Sequence, residues 1–170
     1  QRSKNISSSL SKKSKKIKIY KENQDIIDNS SWVFLSVTPE VGHQILKKLK
    51  FKKDQTIISF ISTIKMADLK KYIKVSKKIV RAIPLPPISI RKGPVPIFPP
   101  NTQVKKFFDH LGTTVEIKNE NLSLNFWSTS SMMAPFYELL QTLSSWLGQK
   151  GINKADAQKY ITSLFVALSE

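Results

Sequence analysis

Any chemistry in this chain of 170 residues must be done without thiols and with two imidazoles. The absence of Cys removes a thiol nucleophile, a thiolate metal site and a disulfide framework together. His43 falls one turn into a predicted helix, where it reads as solvated, and His110 falls near a helix C-terminus, where it suits the dipole. The carboxylates are scattered and mostly stand beside Lys, so no pair suited to general acid–base work is apparent. Met132-Met133 reads as core packing. What remains is a set of small hydroxyls beside proline and apolar residues: Ser36-Val37-Thr38-Pro39, Ser62-Thr63 and Ile83-Pro84. None is a strong acid or base. Together they suit the binding of a flat ligand through hydroxyl and backbone groups, with the hard chemistry left to a cofactor. Taken singly, each is also what a strand-to-helix cap requires, and that is the plainer reading.

The elements that must position these groups follow from hydrophobic periodicity. Residues Asn5 to Lys16 read as a weakly amphipathic helix leading into a short strand, Ile17 to Tyr20. A short helix runs from Asn23 to Asp28, followed by the apolar strand Trp32 to Val37, which stops at Pro39. A helix from about Glu40 to Leu49, a strand Thr56 to Ile61, a helix Met66 to Ile73 and a strand Lys78 to Ile83 come next. Apolar runs without alternation predict strands buried on both faces, and the α-β alternation with short connections predicts an open, doubly wound sheet. The three hydroxyl-bearing segments then fall just beyond strand carboxyl ends, where such sheets bind ligands.

The stretch Pro84 to Pro100 carries most of the nine prolines, and a residue that cannot donate to a ladder predicts an edge region or extended loop. Asn101-Thr102 caps a helix, Gln103 to Leu111, which ends at Gly112 before a last strand, Thr113 to Ile117. From Leu122 onward there is only helical periodicity, with Phe136, Leu139, Leu140, Leu143, Trp146 and Leu147 on one helix and Ile161, Leu164, Phe165 and Leu168 on the next. Two such apolar helices need something to cover them, from further chain or a partner subunit.

Of the 28 basic residues only Arg2, Arg81 and Arg91 are Arg, and the formal net charge is +16. Lysine abundance alongside Ile and Asn is what AT-rich codons encode. The cluster Lys12, Lys13, Lys15, Lys16, Lys18 lacks the arginine forks and aromatic interleaving of a nucleic-acid surface, so a solvated lysine face is expected and no nucleic-acid partner. No apolar run approaches the roughly 18 residues of a membrane span. With no signal-peptide core after Gln1, the chain reads as a soluble cytoplasmic protein or a segment of one.

The motif order resembles the pyrroline-5-carboxylate reductase family over essentially the whole chain. Asn23-Gln24 stands thirteen residues before Ser36-Val37-Thr38-Pro39, which lies where the family has Ala-Val-Lys-Pro. The stretch Ile57 to Ile64 is similar to its Ser-x-Ala-Ala-Gly-Val strand end, Val80 to Pro87 to its Arg-x-Met-Pro-Asn-Thr-Pro, and Ser128 to Glu138 to its Ser-Gly-Ser-Gly-Pro-Ala-Tyr. The resemblance implies an α/β fold: a Rossmann-type NAD(P)-binding domain over 1–118, its first β-α-β part missing, and the start of an all-helical dimerisation domain over 119–170. It implies NADPH or NADH as cofactor. Arg2 and Ser3 would meet the adenosine ribose and any 2′-phosphate, and Asn23, Ser36, Val37, Thr38, Pro39 and Ser62 would be further cofactor contacts. The implied substrate is a cyclic imine carboxylate, 1-pyrroline-5-carboxylate, reduced to proline by a homodimer or larger homo-oligomer built on the C-terminal helices. No metal is implied and no catalytic acid or base is assigned.

Three departures from the family pattern bear on the substrate. Leu85-Pro86 replaces Asn-Thr, Thr38 stands for the usual Lys, and Ser130 to Met133 replaces the glycines before the long helix. They leave open a divergent reductase of another imine or keto acid, or a Rossmann-fold binding protein without activity. The resemblance also puts the glycine-rich phosphate loop upstream of Gln1 and the segment holding the substrate carboxylate beyond Glu170. Reading the gene immediately upstream should therefore show a Gly-x-Gly-x-x-Gly, and its absence there would remove the reductase reading.

Overall fold

Runs rich in β-branched and aromatic residues become five strands of one sheet: β1 (Trp32–Leu35), β2 (Thr56–Ser59), β3 (Lys78–Ala82), β4 (Pro94–Phe98) and β5 (Thr113–Glu116), in that spatial order. The computed structural model describes residues 3–169. Around the sheet lie α2 (Asn23–Asp28), α3 (Pro39–Leu46), α4 (Met66–Tyr72) and α5 (Thr102–Asp109), and α1 (Lys4–Lys13) precedes them with no buried residue. The chain divides into two compact units, one through Leu122 and one from Ser123.

β1, β2 and β3 run parallel, with Trp32 opposite Thr56 and Thr56 opposite Lys78. Side-chain alternation then separates two cores. Val33, Ile57 and Ile79 face Ile27, Leu46, Ile64 and Leu69 from α2, α3, α4 and the loop before α4. Ile58, Val80, Val95 and Ile97 face Val104 and Phe108 of α5. Helices thus cover both faces, as expected of a doubly wound sheet. β2 is buried at every position, which is the two-sided burial its unbroken apolar run predicts. β1 differs. Its burial alternates, and Phe34 remains 39% exposed within an aromatic patch with Trp32, Phe60 and Phe107.

A buried amide ties the opposite end of the strands together. Gln55 donates to the carbonyls of Ile27 and Ser30 at 2.6 and 2.7 Å, accepts from the Lys52 amide at 2.7 Å, and its own carbonyl accepts from the Ser76 hydroxyl at 2.7 Å. Every polar group of that side chain that is so engaged escapes the penalty of an unmade buried hydrogen bond.

The proline-rich stretch is not an edge. β4 lies between β3 and β5, antiparallel to the first and parallel to the second. Alternation along β4 explains how proline is tolerated there. Gly93 and Ile97 accept from Thr113 and Ile117 of the β5 side, so Pro94 and Pro96 occupy the intervening positions, turned toward β3. The ladder with β3 covers only Arg81 opposite Phe98 and Ala82 opposite Ile97. It ends where the Pro96 carbonyl accepts from Ile83, so the missing N–H falls at its last rung. The short connection through the 3₁₀ turn Pro86–Ile90 carries no crossover helix, and the strand it leads into returns antiparallel. β5 closes against β4 so tightly that a Cβ on Gly112 would stand 2.5 Å from the Gly93 carbonyl oxygen.

Other expectations are revised. Residues 17–20 form no strand and pair with none of the five, and Ile17 and Ile19 are exposed. The alternation there had suggested a strand, but a strand exists only with a ladder partner. α1 ends at Lys13, not Lys16, and α3 begins at Pro39, whose fixed φ suits the first helical position. Met132 is not core: it sits 63% exposed at the turn between α6 (Ser123–Ser130) and α7 (Met133–Gln149).

In the second unit α7 packs on α8 (Lys154–Leu168) through Phe136 and Phe165, whose rings meet edge-on at 5.5 Å. Leu139, Trp146 and Leu164 stay exposed, while Ala157 and Ile161 are buried. Among the described residues no helix is long and apolar enough to cross a membrane.

Asn101 accepts from the Val104 amide at 3.0 Å, capping α5. Asn101→Ala is expected to cost about 1 kcal/mol, and Phe108→Ala, which empties the centre of the α5 core, about 3–5 kcal/mol; urea unfolding of the two variants measures both.

Candidate functional site

A sheet covered on both faces leaves the strand ends as its open ground, and the carboxyl ends of β1 and β2 frame a cleft of about 820 Å³. Its lining is Asn23, Ser36, Val37, Thr38, Val41, Ile45 and Phe60. A smaller pocket of about 220 Å³ shares Asn23, Ser36, Val37 and Ile45 and is otherwise apolar.

Each group is placed by an identifiable local cause. Asn23 opens α2. Ser36 to Thr38 form the crossing from β1 to α3, and the Thr38 carbonyl accepts from Gly42 at 2.8 Å as that helix begins. The strand ends are joined directly, since the Phe60 amide donates to Leu35 at 3.0 Å. α3 lies close to the turn after β2 because Gly42 has no side chain: a Cβ there would stand 3.0 Å from Ile61 Cδ1 and 3.2 Å from Ile64 Cδ1.

Of the residues expected from the sequence to contact a cofactor, Asn23, Ser36, Val37 and Thr38 converge on this cleft. Pro39 is half-buried at the start of α3, outside the lining, and Ser62 is half-buried in the turn after β2, its carbonyl held by Arg81 Nη2 at 2.6 Å. Ser3 is exposed ahead of α1, where its carbonyl accepts from the amide and hydroxyl of Ser7, and it does not line the cleft. Arg2 lies outside the described residues. Val41, Ile45 and Phe60 were missed as candidates, because apolar residues in apolar elements carry no signal until the fold shows which end of the strand they occupy.

The lining is uncharged: one carboxamide, two hydroxyls and an apolar wall. It can accept and donate hydrogen bonds and cover a flat ring, but it holds no group that moves a proton at neutral pH. His43 lies elsewhere, sharing a 2.9 Å hydrogen bond with the Tyr72 hydroxyl. Among the described residues no three His, Asp or Glu side chains converge to hold a metal. The exposed carboxylate near the cleft is Glu40, which its own backbone amide and then the Thr38 hydroxyl hold below the usual glutamate range. Fit to a flat dinucleotide is therefore a matter of shape and neutral polar groups.

Fold and cleft define an α/β protein of the Rossmann type. No family model matches the sequence, and no curated protein matches it. Among solved structures, 1-pyrroline-5-carboxylate reductase from Streptococcus pyogenes is similar with a TM-score of 0.82 at 23% identity, over 99% of this chain and 66% of that one. The reductase from Coxiella burnetii gives 0.79 at 20% identity, again over 99% and 66%. The Plasmodium falciparum pyrroline carboxylate reductase, a structure with NADP bound, gives 0.73 at 16% identity, over 87% and 60%. The chain thus has the fold of these reductases and spans somewhat under two thirds of their length.

Because the Glu40 carboxylate is favoured by its hydrogen bonds, whatever order it gives the cleft rim is present above the ordinary carboxylate range and is lost as pH falls through its lowered pKa. An NMR titration should place Glu40 below 4.5, and Thr38→Val should move it back toward that value.

Proposed function

We propose that the protein is an NAD(P)H-dependent reductase of the pyrroline-5-carboxylate type. The observation that carries this reading is the convergence of Asn23, Ser36, Val37 and Thr38 on one cleft at the carboxyl ends of β1 and β2, in a fold shared with reductases of that name. The first unit is the cofactor-binding domain, expected over 1–118, and the helices expected over 119–170 are the dimerisation region. In this reading the exposed apolar residues of α7 and α8, Leu139, Trp146 and Leu164 among them, are covered by a second copy of the chain.

When bound, the reduced nicotinamide supplies a hydride to the C=N carbon of a cyclic imine carboxylate. The residues of this chain bind and orient. Asn23, Ser36 and Thr38 provide neutral donors and acceptors for ribose hydroxyls and phosphate oxygens, and Val37, Val41 and Phe60 cover apolar ring faces and keep water off them. A ring imine is protonated readily in solution, so a site without a strong acid can suffice, with positioning as the main source of rate. Leu85 and Pro86, where the family has Asn-Thr, remove polar groups near the nicotinamide in this reading.

The protein expressed from its whole gene should quench NADPH or NADH on titration and oxidise it in the presence of 1-pyrroline-5-carboxylate. Asn23→Ala combined with Thr38→Val is expected to weaken the dinucleotide by tenfold or more, at roughly 1 kcal/mol for each lost hydrogen bond. No binding of either dinucleotide would overturn the reading, and binding without turnover of any cyclic imine would favour a Rossmann-type binding protein instead.

A further inference from the structure

The cation that the fold buries is not one of its many lysines. No described lysine is buried, whereas Arg81 is 4% exposed. From β3 its Nη2 donates to the Ser62 carbonyl at 2.6 Å and its Nη1 pairs with Glu120 Oε1. The same Glu120 oxygen accepts from the Met66 amide at 2.7 Å. Met66 is the first residue of α4, and Lys65 before it offers no side-chain cap. A carboxylate from 54 residues further along the chain therefore completes that helix start. One ion pair fixes both ends of the turn between β2 and α4, at Ser62 and at Met66.

This turn packs against α3, the helix that borders the cleft. Its Ile61 and Ile64 are 1% exposed and lie against the bare backbone of Gly42, in the helix whose start carries Thr38 and Val41. Phe60, which precedes the turn, lines the cleft itself. Arginine is required for the geometry. A planar fork can donate to a carbonyl and a carboxylate at once, while a lysine ammonium at the end of a flexible stem does not reach two fixed acceptors in one plane.

We propose that Arg81 and Glu120 are positioning residues: their ion pair holds the turn from Ile61 to Met66 in the one conformation that seats α3 and Phe60 around the cleft, and so sets the affinity for the dinucleotide. The inference rests on the dinucleotide reading above for its ligand, not for its geometry. Neither residue touches the cleft, so the pair acts through Ile61, Ile64 and Gly42.

The test uses the full-length protein with Glu120→Gln, Arg81→Lys and Arg81→Met, and Val104→Ala as a control that destabilises the opposite core. Hydrogen exchange at amides 61–66 and NADPH and NADH titrations are the two readouts. Loss of a charge-assisted hydrogen bond should speed exchange at the Met66 amide and raise the dinucleotide Kd about tenfold in Glu120→Gln. Arg81→Lys should recover only part of the loss seen in Arg81→Met. Val104→Ala should lower the urea midpoint while leaving the Kd of the folded protein unchanged. Wild-type Kd in folded Glu120→Gln, or a Val104→Ala variant that loses affinity as much, would reduce the pair to a structural role and overturn the proposal. If Arg81→Met does not fold, Glu120→Gln and Arg81→Lys decide. If the wild-type protein binds neither dinucleotide, the reductase reading fails by itself, and exchange still decides on the clamp: faster exchange confined to 61–66 supports it, and unchanged exchange there overturns it.

Discussion

Burial of β2 on both faces is the constraint from which the rest of the structure follows. A four-residue strand with no solvent face must satisfy its backbone through neighbours on either side, here β1 and β3, and must hand opposite side chains to two separate cores. Ile57 and Ile58 do this from adjacent positions. Once both faces are taken, polar groups that need solvent or a ligand can stand only beyond the strand ends. At the amino end the space is filled by Gln55 and its four hydrogen bonds. At the carboxyl end it is left as a cleft.

The two ends use different materials for that reason. The closed end relies on a fully engaged amide, which stabilises without charge and fixes the loops before β2 and β3. The open end is lined with short neutral side chains, and the Arg81–Glu120 ion pair is set back from the lining. Arg81 is buried and Glu120 half-buried, so the attraction between them is offset by the cost of taking the guanidinium out of water. The value of the pair here is that it fixes a turn whose packing residues touch the helix on the other side of the cleft. Gly42 is the counterpart in that contact, since a Cβ there would crowd the ends of the Ile61 and Ile64 side chains.

Much of the sheet half was legible in the sequence because its signals are local. Thr56 to Ile61 is an unbroken apolar run, Asn101 stands at a helix start with its side chain available to cap, and Ser36 to Pro39 combines small hydroxyls with a proline fit for a first helical turn. Failures came where a local signal depends on a distant partner. Ile17 to Tyr20 alternates like a strand but pairs with none of the five described strands. The prolines of β4 argued for an edge, yet alternation turns them toward the side where the ladder with β3 has already ended. Phe34 looked buried on both faces, yet it is 39% exposed beside Trp32, Phe60 and Phe107.

By itself the sequence placed β1, β2, β3, β5 and most of the helices, showed that this chain carries no thiol, and set small hydroxyls after two of the strands. Those properties are set by residue type and spacing over a few turns of chain. Only the tertiary structure decided that Asn23 meets Ser36 and Thr38 across one cleft, that Phe60 forms part of its wall, and that the buried guanidinium of Arg81 pairs with Glu120. Such contacts join residues separated by tens of positions. They depend on strand order and helix placement, which follow from how two cores are filled at once and not from any local pattern.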